Sequence, residues 1–260
     1  MIALSASRRV GVSERLHELE HIREEVRENP DGVPRETKKY FWKLVRQIKR
    51  ESEPSDEEIA VAAEVRNILF ETDRGRTYRL GPALTAMTAL GVASFIVYLW
   101  LVGTPLDWSN VLGWTLGDLW QFAMRFISIF FIITFFYPLG RFIAGTMLGI
   151  RIDGFCRDEY YEPTLKIDYV SFLRAPPPRR KWFFFFSGLW TVITSILSGV
   201  IGFFVGGDIT PFIPAVFLIF FEGYVVLTGT AKKSRGEMGH YNREKKIEKV
   251  WKKRLSSQTS

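Results

Sequence analysis

Residues 80–106 and 182–207 contain no Asp, Glu, Lys or Arg. These stretches, 27 and 26 residues long, exceed the roughly 20 apolar residues that a helix needs to cross a bilayer. Whole-chain averages conceal them, because hydrophobic residues are 47%, charged residues 24% and mean hydropathy only +0.03. The charge sits at the ends: residues 1–79 and 232–260 hold 26 of the 35 basic and 19 of the 28 acidic residues. That division excludes an ordinary soluble globular protein. It predicts an integral membrane protein with water-facing ends.

The fold class expected is an all-α polytopic membrane protein with four transmembrane helices, 83–102, 119–141, 182–205 and 212–230. Residues 1–79 form a cytosolic helical region, 80–231 the membrane domain and 232–260 a basic cytosolic tail. Between spans two and three lies a polar connection, Ile150–Lys181, with 7 basic and 5 acidic residues. Within it Arg151–Phe155 and Leu165–Phe172 are strand-like, the second alternating as Leu165, Ile167, Tyr169. A short turn, Gly206-Gly207-Asp208, joins spans three and four. Trp108 and Trp114 suit the opposite interface.

Basic residues set the orientation. Arg74, Arg76 and Arg79 precede span one, seven basic residues join spans two and three, and ten follow span four, while the two remaining connections hold none. Both termini are therefore expected in the cytoplasm of a multi-pass protein of the cell (plasma) membrane. The net charge of +7 is not a nucleic-acid footprint, because the first 79 residues carry 16 basic and 16 acidic residues and cancel. The excess lies in the tail, where it fits an orientation signal or a contact with anionic lipid. The expected partners are the lipid bilayer and another membrane protein or a second copy of the chain.

Met1–Val12 lacks the continuous apolar core of a cleavable signal peptide, so targeting is expected to use the first span. The single cysteine, Cys156, excludes an intrachain disulfide. It is not expected to act as a nucleophile, since no histidine occurs between residues 22 and 239.

Residues 13–72 read as three short amphipathic helices. Ser13 is positioned to cap the first, with Leu16, Leu19, Ile22 and Val26 on one face, and Asn29-Pro30-Asp31-Gly32 to end it. Pro34 suits the first turn of the second, which carries Phe41, Leu44, Val45 and Ile48. Ser55 and Glu58 fit a capping box for the third, with Ile59, Ala62, Val65 and Leu69 apolar. Pro176-Pro177-Pro178 makes a stiff approach to span three, and Pro211 and Pro214 begin span four.

The end of span two reads Tyr137-Pro138-Leu139-Gly140-Arg141-Phe142-Ile143-Ala144-Gly145-Thr146-Met147-Leu148-Gly149-Ile150. This resembles the active-site helix of the site-2 protease family of intramembrane zinc metalloproteases, in which a His-Glu-Leu-Gly-His pattern is followed by small and apolar residues and then Leu-Gly-Ile. Leu139, Gly140, Ala144, Leu148, Gly149 and Ile150 match that framework. The same resemblance places Ser187-Gly188 where the family carries Ala-Gly-Pro-x-x-Asn, with Leu189 and Val192 at its proline and asparagine. It places Glu222-Gly223 at the family's Asp-Gly, whose aspartate is the third zinc ligand. About residues 83–230 are covered.

What is missing decides the chemistry that the resemblance implies. Tyr137 and Arg141 stand at the zinc-binding histidines and Pro138 at the catalytic glutamate. A catalytic zinc needs three protein ligands, an open position for water and a carboxylate as general base. A guanidinium stays protonated and repels a metal, and proline has no acid–base group. The resemblance therefore implies the fold without its hydrolytic machinery, and no cofactor.

A literal His-Glu-x-x-His occurs elsewhere, as His17-Glu18-Leu19-Glu20-His21. On a helix its histidines lie one turn apart and could bind zinc with Glu18 as base. The segment is charged and cannot span a membrane, so an acidic surface helix with two histidines is the favoured reading. Inside the membrane the informative charges are Arg125, Arg141 and Glu222, because such charges are expensive and face a partner or water. Arg141 and Glu222 lie at depths that allow an ion pair in place of zinc. The expected role is a non-enzymatic one, in binding, scaffolding or regulation. Its alternatives are an active metalloprotease using His17, Glu18 and His21 or an atypical site, and a small transporter or channel subunit lined by Arg141 and Glu222.

Overall fold

The computed structural model describes residues 2–157, 163–229 and 236–259, with side chains from 14 to 257 within those ranges. The chain is mostly helical, with three helices long and apolar enough to cross a membrane and one small two-stranded sheet. In order these are α1 (Ile2–Glu28), α2 (Arg35–Ile48), α3 (Asp56–Arg74), α4 (Leu80–Val102), α5 (Leu116–Leu148), β1 (Ile152–Arg157), β2 (Pro163–Ile167), α6 (Tyr169–Arg174), α7 (Pro177–Gly206), α8 (Phe212–Thr228) and α9 (Glu237–Thr259). The long apolar helices are α4, α5 and α7.

The first three helices bury the faces that their periodicity marks: Leu19, Ile22 and Val26, then Phe41, Leu44, Val45 and Ile48, then Ile59, Ala62, Val65 and Leu69. Two details of their ends differ from expectation. Helix α1 continues back through Ser13 to Ile2, so Ser13 does not begin it, and its side chain lies outside the described residues. Ser55 stands at the N-cap of α3 but makes no side-chain cap bond, and the Glu58 side chain, the other half of the box, is drawn elsewhere. Its buried carboxylate takes Arg15 Nε and Nη2 at 2.6 and 2.9 Å, a bidentate pair that ties α1 to α3.

Each long helix overruns its expected span at one end or both. Thr115 and Asp118 form a reciprocal capping box, so α5 starts at Leu116 rather than near Leu119, and it ends where Gly149 turns to φ +71°. Helix α7 starts at Pro177 and runs 30 residues, so its first turns stand clear of the apolar stretch. The strand expected over Leu165–Phe172 stops at Ile167. Asp168 accepts from the amides of Val170 and Ser171 at 3.1 and 3.2 Å and starts α6 instead. Strands β1 and β2 pair antiparallel, and Tyr78 adds an isolated bridge to Phe155.

Two corrections concern the last third of the chain. The connection between α7 and α8 is more than a short turn. Ser195 Oγ donates to the Pro211 carbonyl at 2.7 Å, and Gly199 lies against Phe212. Helix α8 thus begins beside the middle of α7, and the 11 residues from Ser195 to Gly206 put that point about 16 Å short of the end of α7. Asp208 and Thr210, in the returning segment, are fully buried. The tail is not merely a basic extension. Helix α9 packs along the first turns of α7 and buries Met238, Tyr241, Asn242, Glu244, Ile247 and Glu248. Residues 230–235, which hold Lys232, Lys233 and Arg235, lie outside the described residues.

Candidate functional site

Two polar centres are buried along α5, separated by the 16 residues from Arg125 to Arg141, or about 24 Å of helix. The outer one is built on Arg125, which has no exposed surface. Its Nη1 donates to Asp208 Oδ1 at 2.9 Å, and its Nη2 reaches the carbonyls of Leu101, at 3.0 Å, and Thr104 at the end of α4. Tyr98 donates to the other carboxylate oxygen at 2.8 Å, and Thr210 Oγ1 to Oδ1 at 2.7 Å. Gln121 reaches the same Thr104 carbonyl at 2.8 Å. The close approach of Tyr98 is possible because position 202 is glycine; a Cβ there would stand 1.9 Å from the phenol oxygen. This centre pins the ends of α4 and α7 to α5. The charge at Arg125 was visible in the sequence, but Asp208 was not recognisable as its partner.

The inner centre contains the residues at which the protease resemblance centres. Tyr137 and Arg141 lie one turn apart on α5, and Arg141 Nη1 donates to the Tyr137 oxygen at 2.8 Å, to Thr164 Oγ1 on β2 at 3.2 Å and to Glu237 Oε1 at 2.7 Å. Tyr137 in turn donates to the same Glu237 oxygen. Pro138 and Gly140 are buried inside α5, and a Cβ at Gly140 would stand 2.0 Å from Trp190 Cγ, so this glycine sets how closely α5 approaches α7.

The carboxylate that meets Arg141 is therefore Glu237, not Glu222. Glu222 is half-buried on α8 with an oxygen near Gly236, beside the start of α9 rather than against the guanidinium. Gly188, on α7, faces the same turn, with Met238 Cε 2.8 Å and Glu237 Cβ 3.3 Å from where its Cβ would be. Tyr137 and Arg141 on α5, Gly188 on α7 and Glu222 on α8 thus converge on Gly236-Glu237-Met238. The first turn of α9 occupies the space between the three helices.

A third set of charges ties α9 to the end of α2 and the start of α7. Glu244 receives Lys49 Nζ at 2.6 Å and Arg180 Nε at 2.9 Å, while Arg180 Nη2 donates to the Lys49 carbonyl at 2.8 Å and Nη1 to Ala175 at 2.9 Å. Burial alone would raise the Glu244 carboxyl, but the two cations outweigh it and hold its pKa below the usual glutamate value. Burial lowers the Lys49 ammonium, against the pull of Glu244. Lys181 binds Glu248 at 2.6 Å one turn further on.

His17, Glu18 and His21 line an open groove of about 680 Å³ between α1 and α2, with Lys39, Lys43 and Arg46 on its other wall. Tyr40 donates to Glu18, so the nominal base is already engaged. Among the described residues no three His, Cys, Asp or Glu side chains are placed to hold a metal ion. Cys156 is buried in β1, and burial pushes its thiol up despite Arg141 and other cations nearby.

Set against protein-family models, curated proteins and solved structures, the chain has no match.

Proposed function

We propose that this chain is a four-span membrane protein of site-2-protease-like architecture that lacks a competent zinc site and works by binding rather than by chemistry. It scaffolds or regulates another membrane protein, or a second copy of itself, through the α1–α3 region and the β1–β2 connection. One observation carries this reading. A guanidinium, a phenol and the first turn of α9 fill the place between α5, α7 and α8 where an active relative would hold its metal. A fixed cation there opposes metal binding, and the Tyr137–Arg141–Glu237 bonds leave no carboxylate poised to activate water.

The fourth span is Phe212–Thr228, whose 17 residues reach about 25 Å. That is short for a hydrocarbon core near 30 Å, but Asp208, Thr210 and Pro211 in the segment before it are buried in the bundle, away from lipid. Because α9 touches both the first turns of α7 and the end of α8, those two ends share one side of the membrane. The distribution of basic residues supports a cytoplasmic side for both termini in a plasma-membrane protein, with the exposed lysines of α9 facing anionic lipid. Trp42 and Tyr40, exposed on α2, belong to the surface offered to a partner.

Purified full-length protein is expected to hold no stoichiometric zinc and to leave membrane-embedded peptides uncleaved. In whole cells, a cysteine placed at Asn110 should react with an impermeant reagent and one at Ser257 should not. One zinc per chain, or cleavage abolished by Glu222→Gln, would overturn the proposal.

A further inference from the structure

Three arginines stand at the cytosolic ends of the three long apolar helices. Arg79 is the N-cap residue of α4, Arg151 follows the C-cap glycine of α5 by two positions, and Arg179 lies in the first turn of α7. All three are exposed, and no carboxylate meets any of them among the described residues. This sets them apart from Arg141, Arg174 and Arg180, each of which has an acidic partner nearby.

The fold brings the three toward one another. Arg179 reaches across from α7 until its Nη1 lies 3.7 Å from the Cβ position of Gly149, the residue that ends α5. Arg151, two residues on, is held by a bond from its amide to Ser171 Oγ at 2.9 Å. Tyr78 exchanges both backbone hydrogen bonds with Phe155, at 2.8 and 3.0 Å, which lays the start of α4 alongside β1 and so brings Arg79 near the residues that follow Arg151. The depth of this group is marked independently. Tyr78 and Trp182 are exposed beside it, and amphipathic rings of this kind favour the headgroup level. Met147, in the last turn of α5 and four residues before Arg151, is an apolar side chain 72% exposed.

We propose that Arg151 and Arg179, flanked by Arg79, form a binding site for the phosphate of an anionic phospholipid. Guanidinium groups present paired donors that match phosphate oxygens, and at the headgroup layer they meet lipid rather than free solute. The site is separate from the α9 lysines, part of whose charge is engaged: Lys252 pairs with Glu248 and Lys246 with the Gly229 carbonyl. It rests on the membrane reading above, since α4, α5 and α7 have to cross a bilayer for these ends to share a headgroup layer.

The test uses full-length protein in mild detergent with phosphatidylglycerol or phosphatidylcholine added, bound lipid being counted by native mass spectrometry. Wild type should retain phosphatidylglycerol in preference to phosphatidylcholine. The pair Arg151→Gln and Arg179→Gln should weaken that retention about thirtyfold, from the usual contribution of two basic residues at an anionic surface. Lys39→Gln with Lys43→Gln, exposed on α2, should leave it unchanged. Unaltered retention in the arginine variant at an unchanged melting temperature overturns the site, as does equal retention of the two lipids. Displacement by millimolar inorganic phosphate overturns the lipid as its ligand. A wild-type chain absent from the membrane fraction defeats the membrane reading itself, whereas a membrane-embedded chain with unaltered retention defeats only the lipid site.

Discussion

Arg141 Nη1 lies 2.7 Å from Glu237 Oε1, across 96 residues of sequence, and that bond joins the second apolar helix to the start of the last one. Both side chains are largely buried, so neither partner can return to water when the other is lost. Glu237→Ala should cost about 2–3 kcal/mol, the range for removing a charged hydrogen-bond partner. Tyr137→Phe, which keeps the ion pair, should cost about 1 kcal/mol. Unfolding in detergent by heat or by denaturant reads both, and equal losses in the two variants would contradict the arrangement.

The outer centre gives a stronger case. Arg125 and Asp208 are both fully buried at 2.9 Å, and truncating one leaves an unpaired charge inside the bundle. Asp208→Ala should destabilise by about 3–5 kcal/mol, and Arg125→Leu by a similar amount. The double variant should lose clearly less than the sum, because the groups share one interaction. Additive losses would show that the pair does not act as a unit.

Two glycines within the resemblance should respond in opposite ways. A Cβ at Gly140 runs into Trp190, whereas nothing lies within 4 Å of a Cβ at Gly223. Gly140→Ala should cost about 1–3 kcal/mol by overpacking α5 against α7. Gly223→Ala should be neutral, or gain up to about 1 kcal/mol through helix propensity. Melting temperatures of the two variants side by side decide it.

Acid should loosen α9 through Glu244. Its folded-state pKa is lowered by Lys49 and Arg180 against the opposing effect of burial. A lowered carboxyl contributes stability that is fully present above the unfolded value near 4.5 and is lost as pH falls through the folded value. Stability from this group should therefore be flat around neutral pH and decline only below about 4.5. In Glu244→Gln the chain should be less stable at pH 7, with a shallower decline on acidification. An equally steep acid limb in that variant would assign the loss to other carboxylates.

The parts of this protein that were legible in the chain are those whose cause is local. The charge-free stretches at 80–106 and 182–207 mark apolar helices, and the 3.6-residue spacing of Leu19, Ile22 and Val26 marks the buried face of α1. The capping role expected of Glu58 failed for a non-local reason, since Arg15 arrives from another helix and takes the carboxylate. Helix α9 was hidden because its lysines and arginines read as a tail. Met238 and Tyr241, three residues apart, were the available signal for a buried face.

By itself the sequence determined which segments are too apolar for water and which carry too much charge to leave it, since transfer free energy depends on composition over one or two helical turns. It also marked Arg125 and Arg141 as charges in need of partners. Only the tertiary structure decided that those partners are Asp208 and Glu237. Each lies outside the long apolar helices, in a segment that folds back onto them, and the free energy of an ion pair depends on a distance in space that no spacing along the chain encodes.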